Sequence, residues 1–154
     1  MDRDVVHRYR SVTTWRGSTA VGYEGYDRAH EVRTAADAAL ALSGDPAFRG
    51  DARRLNPEAL LVASASSCQL LSFLAVAARA RVDVVEYDDE AEGVMPESER
   101  PMWITRIVLR PRITVRGDVE PSRLAHLVDV AHRECFIANS LRTEVAVEPT
   151  FVAR

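Results

Sequence analysis

The residues able to do chemistry in this 154-residue chain are its two cysteines, Cys68 and Cys135. A cysteine acts as a nucleophile only as its thiolate, which forms near neutral pH where a cation or a helix N-terminus stabilises it. Cys68 closes the run Ser64-Ala65-Ser66-Ser67-Cys68, and Cys135 sits in His132-Arg133-Glu134-Cys135-Phe136-Ile137-Ala138-Asn139-Ser140. The two are 67 positions apart, so any contact between them is tertiary. Two cysteines are too few for a disulfide scaffold. They are either inert apolar side chains or a reactive pair. Ser64, Ser66 and Ser67 compete for backbone hydrogen bonds inside a helix. They mark either a kink and restart that turns free N–H groups toward the Cys68 sulfur, or a close contact that needs small residues. All 20 basic residues are arginine. Lysine nucleophiles and Schiff bases are therefore ruled out, and a side-chain cation facing a thiolate is an arginine or a protonated histidine.

Other chemistries fit the sequence less well. His132-x-x-Cys135 has helical spacing, and His30, His126 and Cys68 complete a possible metal set. Structural zinc, however, uses closely spaced ligand pairs, and Cys68 has no neighbouring ligand. No Gly-x-Ser-x-Gly elbow is present for a serine hydrolase. A net charge of −3 and a pI near 5.8 argue against nucleic acid and anionic lipid as partners. The arginines at 106, 110, 112 and 116 read as a solvated strand face. No run of ~18 uninterrupted apolar residues points to a membrane span. The opening residues lack an apolar signal core, so a cytoplasmic location is expected.

The elements that must hold the cysteines follow from periodicity and punctuation. Residues 5–15 and 19–32, with Gly17 and Ser18 between them, read as an N-terminal hairpin. The alanine-rich residues 34–42 suit a strand end or a short helix. Residues 43–51 hold two glycines, a proline and two aspartates, and form a loop. Asn56-Pro57-Glu58 opens a helix: Asn caps, Pro fits the first turn and Glu favours the positive end of the dipole. Residues 59–80 are apolar or small on every face up to Arg79, which predicts a buried central helix. Residues 82–87 and 104–115 read as strands, with Pro111 marking an edge or bulge. Leu124, Leu127, Val128, Ala131 and Cys135 form the apolar stripe of a second helix starting near Pro121. Residues 143–152 read as a last strand. The order predicts one α+β domain with mostly antiparallel pairing.

Asn56-Pro57-Glu58-Ala59-Leu60-Leu61 followed by Cys68, together with the motif around Cys135, resembles the signature of the OsmC/Ohr family of thiol peroxidases. Trp15-Arg16-Gly17, Tyr26-Asp27-Arg28-Ala29-His30, the loop from Asp45 to Asp51 and Tyr87-Asp88-Asp89-Glu90-Ala91-Glu92-Gly93 extend the resemblance over nearly the whole chain. It implies a single OsmC-like domain over residues 1–154, with curved, mostly antiparallel sheet on the central helix. It also implies reduction of organic hydroperoxides without metal or other cofactor. Cys68 maps onto the peroxidatic cysteine and Cys135 onto the resolving cysteine of an intramolecular disulfide, which a dithiol reductant reopens. Glu58 maps onto the glutamate that holds a thiolate-stabilising arginine. Arg49 is the first candidate for that arginine and Arg28 the second, with Arg16 behind them. Ten residues of helix set Glu58 ~15 Å from Cys68, so an arginine bridges them or the helix bends. Gln69 departs from the histidine that follows the cysteine in many relatives, changing local polarity without removing the thiol. The family's intertwined homodimer suits a helix that is apolar all round. The alternative on the same fold is a ligand-binding or redox-sensing protein with structural cysteines.

Overall fold

The computed structural model describes residues 5–35 and 37–154, so the first four residues and Ala36 of the alanine-rich stretch lie outside it. The chain divides into two units, Met1–Pro57 and Glu58–Arg154. In the first, β1 (Ser11–Thr14), β2 (His30–Thr34) and β3 (Ala39–Leu42) form an antiparallel meander, with Ser11 opposite Thr34 and His30 opposite Leu42. The expected hairpin is there, but its second strand starts at His30 instead of residue 19. The intervening residues are held locally. Ser18 caps a 3-10 turn at Thr19–Val21, Gly22 leaves it at φ 82°, and the Trp15 indole N–H donates to the Asp27 carbonyl at 2.7 Å. Of the alanine-rich stretch, Ala39–Leu42 forms the strand β3.

The loop that follows is built around a second 3-10 turn, Pro46–Phe48, capped by Asp45, whose carboxylate accepts from the Ala47 N–H at 2.7 Å. Arg49 leaves the turn in the left-handed region at φ 64°. Gly50 then passes so close to Gly44 that a Cβ there would sit 1.5 Å from the Gly44 carbonyl oxygen. Only glycine fits that approach.

The second unit is organised around α1 (Pro57–Arg79), which runs unbroken through the serine cluster. The elements after it are β4 (Asp83–Asp89), β5 (Glu92–Val94), β6 (Arg106–Leu109), β7 (Pro111–Arg116), α2 (Pro121–Glu134), α3 (Phe136–Ser140), β8 (Glu144–Val147) and β9 (Thr150–Ala153). They pair as β4-β7-β9 and β5-β6-β8; β4–β7 and β5–β6 are antiparallel, β7–β9 and β6–β8 parallel. The fold is therefore α+β, and most of its strand pairs are antiparallel.

Three sequence expectations change in this unit. Residues 104–115 make two strands in different sheets, parted at the exposed Arg110. Pro111 is the buried first residue of a central strand, a position where proline costs the ladder least. Residues 143–152 likewise split into β8 and β9, each adding to a different sheet, and β5 has no counterpart in the expectation.

The burial of α1 is one-sided. Ala65, Gln69, Phe73, Val76 and Ala77 are buried, whereas Leu71 is 64% and Leu74 39% exposed. The helix serves two clusters at once. Ala65 packs with Ile104, Ile107 and Leu109, while Phe73, Val76 and Ala77 pack with Ile113, Val115, Leu124, Val128 and Ala131. A single chain supplies cover for one face of this helix only, which is why an all-round apolar helix is here half-bare. By length and composition α1 is also apolar enough to cross a membrane, with a mean hydropathy of 1.8. The serines and Gln69 interrupt its apolar run without lowering that mean far enough to exclude a span.

Candidate active site

Cys68 lies at mid-helix on α1, half-buried, and Cys135 is buried at the junction of α2 and α3; both are free thiols. The fold brings the 67-residue separation down to a direct contact between the two motifs. Cys68 is close enough to perturb the Cys135 thiol, and the Ile137 backbone N–H, two residues past Cys135, donates to the Cys68 sulfur at 3.5 Å. Burial pushes the Cys135 thiol upward from 9.0 and the nearby Cys68 adds to the rise, against opposing backbone N–H groups of Ala138 and Ile137. Cys135 is thus held as a thiol at neutral pH, beside the more accessible Cys68.

The junction explains how this is done. Cys135 stands at the end of the second helix, as expected, and in extended geometry (φ −68°, ψ 111°) closes α2 and opens α3. Asn139 fastens the corner: its side-chain amide donates to the carbonyls of Arg133 and Cys135, each at 2.9 Å. The break leaves the first N–H groups of α3 without helical partners, and that of Ile137 meets the Cys68 sulfur. A free N–H was expected from a restart of α1 at the serines. It comes from the other cysteine's motif instead. The serines have separate work: Ser64 donates to the Leu61 carbonyl at 2.8 Å, and Ser66 donates to the Asp89 carboxylate, tying α1 to the end of β4.

Cys68 opens onto a cleft of about 550 Å³ lined by Leu71, Ser72, Ala75, Phe136 and Asn139, with Arg79, Arg133 and Glu134 at its charged part. Phe136 is 79% exposed, and Arg79 pairs with Glu134 at 3.3 Å. Such a cleft suits a molecule with an apolar body and a polar reacting end. No group of three or more His, Cys, Asp or Glu side chains able to hold a metal occurs among the described residues.

Residues 50–150 match the model of the OsmC-like protein family. The chain belongs to the OsmC-like family. An OsmC-like protein of unknown function from Vibrio cholerae is 30% identical, with 94% of this chain and 100% of that one covered and a TM-score of 0.85. An organic hydroperoxide resistance protein from Elizabethkingia anophelis (17% identity, 99% and 100% covered, TM-score 0.70) shares the fold. So does the organic hydroperoxide resistance protein OhrB of Bacillus subtilis (18% identity, 95% and 98% covered, TM-score 0.60). No curated protein matches the chain.

The remaining site residues of the OsmC-like pattern fall as follows. Glu58 is in the first turn of α1, on the same unbroken helix as Cys68, so the bent-helix alternative drops out. Its Oε2 is buried with no hydrogen-bond partner among the described residues, beside a separate cleft of about 610 Å³ lined also by Ser66, Asp89 and Glu92. Arg49 pairs with Glu24 on the surface of the N-terminal unit. Arg28 is held more firmly, donating to the carbonyls of Tyr26 at 2.8 Å and Tyr23 at 2.7 Å, with its guanidinium 4.0 and 4.8 Å from their ring centres. Arg16 lies in the loop after β1.

Three contributors escaped the sequence reading. The Ile137 N–H belongs to the backbone and has no residue signature. Asn139, four positions after a cysteine at a helix end, carried a faint signal. Tyr87 read as the end of a strand and the start of a family-like segment with no role assigned, yet burial and then the charge of Asp89 hold its hydroxyl well above the ordinary phenol range.

Proposed function

We propose that this protein is a thiol-dependent peroxidase that reduces organic hydroperoxides to alcohols. One observation carries the reading: Cys68 borders an apolar cleft with its sulfur against the Ile137 N–H and beside the thiol of Cys135. The Cys68 thiolate attacks the distal oxygen of the hydroperoxide, the O–O bond breaks, and an alkoxide leaves to become the alcohol after protonation. Cys68 becomes a sulfenic acid. Cys135 then attacks the sulfenic sulfur, its thiol proton joining the departing hydroxide as water, and the disulfide forms before further oxidation. A dithiol reductant, small or protein-borne, reopens the bond. No metal or organic cofactor takes part.

Arg49 is the guanidinium we assign to the thiolate, with Glu58 holding it. A surface pair such as Arg49–Glu24 exchanges cheaply, whereas Arg28 would have to abandon two carbonyls and two rings. The exposed Leu71, Leu74 and Phe136 support assembly as a homodimer. A reducing compartment such as the cytoplasm keeps both thiols available.

The test is consumption of an organic hydroperoxide with a dithiol reductant, comparing wild type with Cys68→Ser, Glu58→Gln, Arg49→Gln and Arg28→Gln. Cys68→Ser is expected to abolish turnover. Arg49→Gln and Glu58→Gln should each lower it by ~10-fold or more, as loss of a charge-assisted hydrogen bond does, with Arg28→Gln affected less. Equal slow rates in wild type and Cys68→Ser would sink the peroxidase reading.

A further inference from the structure

Two motifs of the N-terminal unit, Trp15-Arg16-Gly17 and Tyr26-Asp27-Arg28-Ala29-His30, have no part in the thiol chemistry proposed above, and residues of both line one cleft. It measures about 460 Å³ and lies wholly within that unit, with Thr13, Trp15, Tyr26, Arg28, His30 and Ser43 among its walls. The aromatic corner is held in shape. The Trp15 and Tyr26 rings meet edge to face with centres 6.3 Å apart, and the Trp15 N–H is anchored on the Asp27 carbonyl. Gly17 makes room for the indole, since a Cβ there would stand 2.6 Å from its ring carbon Cζ2.

Arg28 is fixed at both ends. Its Nη1 and Nη2 donate to the Tyr26 and Tyr23 carbonyls with the guanidinium over both rings, and the His30 Nδ1 donates to the Arg28 carbonyl at 2.8 Å. Carbonyls and ring faces steady a cation without neutralising it. No carboxylate among the described residues pairs with Arg28. Ser43 is 1% exposed; its oxygen accepts from the Asp51 N–H at 3.0 Å, and its hydroxyl proton meets no acceptor among the described residues.

We propose that this cleft is a binding site for an aromatic carboxylate, with the carboxylate on Arg28 and Ser43 and the ring against Trp15 and Tyr26. One permanent cation matches a monoanion, whereas a phosphate monoester would bring charge that nothing in the cleft answers. The volume lies in the range of small-ligand pockets, and a flat ring suits walls that already meet edge to face. Arg28 is immobilised before any ligand arrives, so binding costs it little side-chain freedom. The site uses neither cysteine, and this inference and the peroxidase reading stand or fall separately.

Calorimetric titration of the reduced full chain with naphthoate, and with naphthylmethanol as its neutral counterpart, tests the charge without altering the protein. The acid should bind ~10-fold or more tightly than the alcohol, and Arg28→Gln should remove most of that difference. Proton–nitrogen NMR locates the ligand. The indole signal of Trp15 should shift on titration, while that of Trp103, which lies under the Arg142 guanidinium, should stay in place. Absence of naphthoate binding at millimolar concentration overturns the proposal, and so does equal affinity for acid and alcohol, whether or not Arg28→Gln folds. A folded Arg28→Gln that keeps the full preference for the acid, or a shift confined to Trp103, also overturns it. Tighter binding of decanoate than of naphthoate would do the same, because the cleft would then select an alkyl chain over a ring.

Discussion

Oxidation should make the protein markedly harder to unfold, and the size of the effect can be worked from the chain. Cys68 and Cys135 are 67 positions apart in sequence, and the Ile137 N–H just after Cys135 already touches the Cys68 sulfur, so a bond between them closes a long loop with little rearrangement. For a loop of that length the lost entropy of the unfolded chain corresponds to about 4 kcal/mol. In a protein of this size that is a rise in Tm on the order of 10 °C. The assay is thermal or urea unfolding of protein treated with one equivalent of organic hydroperoxide per chain, beside the same sample reduced. Thiol titration should fall from two to none, and non-reducing electrophoresis should show a monomer-sized band. If both thiols disappear with no gain in stability, the two sulfurs are not joined within the folded chain. A dimer-sized band would place the bond between chains. Either result would refute the reasoning from contact to intramolecular disulfide.

Other outcomes follow from the same geometry. Cys135→Ser should consume about one hydroperoxide per chain and then stall, with Cys68 driven to sulfinic acid under excess peroxide; continued turnover at the wild-type rate would remove Cys135 from the cycle. Leu71→Asp combined with Leu74→Asp should convert a dimer into a monomer in sedimentation velocity, and a monomeric wild type would contradict the assembly reading. The reduced fold should weaken in alkali. Burial lifts the Cys135 thiol above 9.0, so the unfolded chain ionises first; the stability it contributes is full below pH 9.0 and is lost as pH climbs through the raised value. Urea midpoints from pH 8 upward should therefore fall more steeply in wild type than in Cys135→Ala. In acid the partly exposed Asp51 works in the opposite sense: Arg53 holds its carboxyl down to about 2 from 3.8, so its contribution stands above 3.8 and is lost as pH falls toward 2. Asp51→Asn should flatten that limb of the curve.

Much of the architecture was legible because it is written in local chemistry. Asn56-Pro57-Glu58 marks the start of α1 to the residue, and the apolar stripe through Leu124 and Ala131 marks α2. What failed depended on distant partners. No local signal separates β6 from β7, since Arg110 is an ordinary strand residue and the two part company only because each finds a different sheet. Both cysteines were visible as a pair through their motifs, but the way one serves the other was not. The donor at Cys68 is the backbone N–H of Ile137, 69 residues on, freed by the helix break at Cys135 that Asn139 holds open. The serines drew attention to the right place for the wrong cause: their hydroxyls bind elsewhere and leave the helix intact.

The division of α1 between two clusters bears on how this unit comes apart. Because Ala65 and Phe73 sit on one rigid rod, loosening either cluster strips support from the other, and neither sheet can open by itself while the helix stays docked. Amide protons along the buried line from Ala65 to Ala77 should exchange together, at the rate set by unfolding of the whole Glu58–Arg154 unit. On the proposed peroxidase reading, a site whose two sulfurs bond and part in every cycle thus hangs from the least yielding member of the fold.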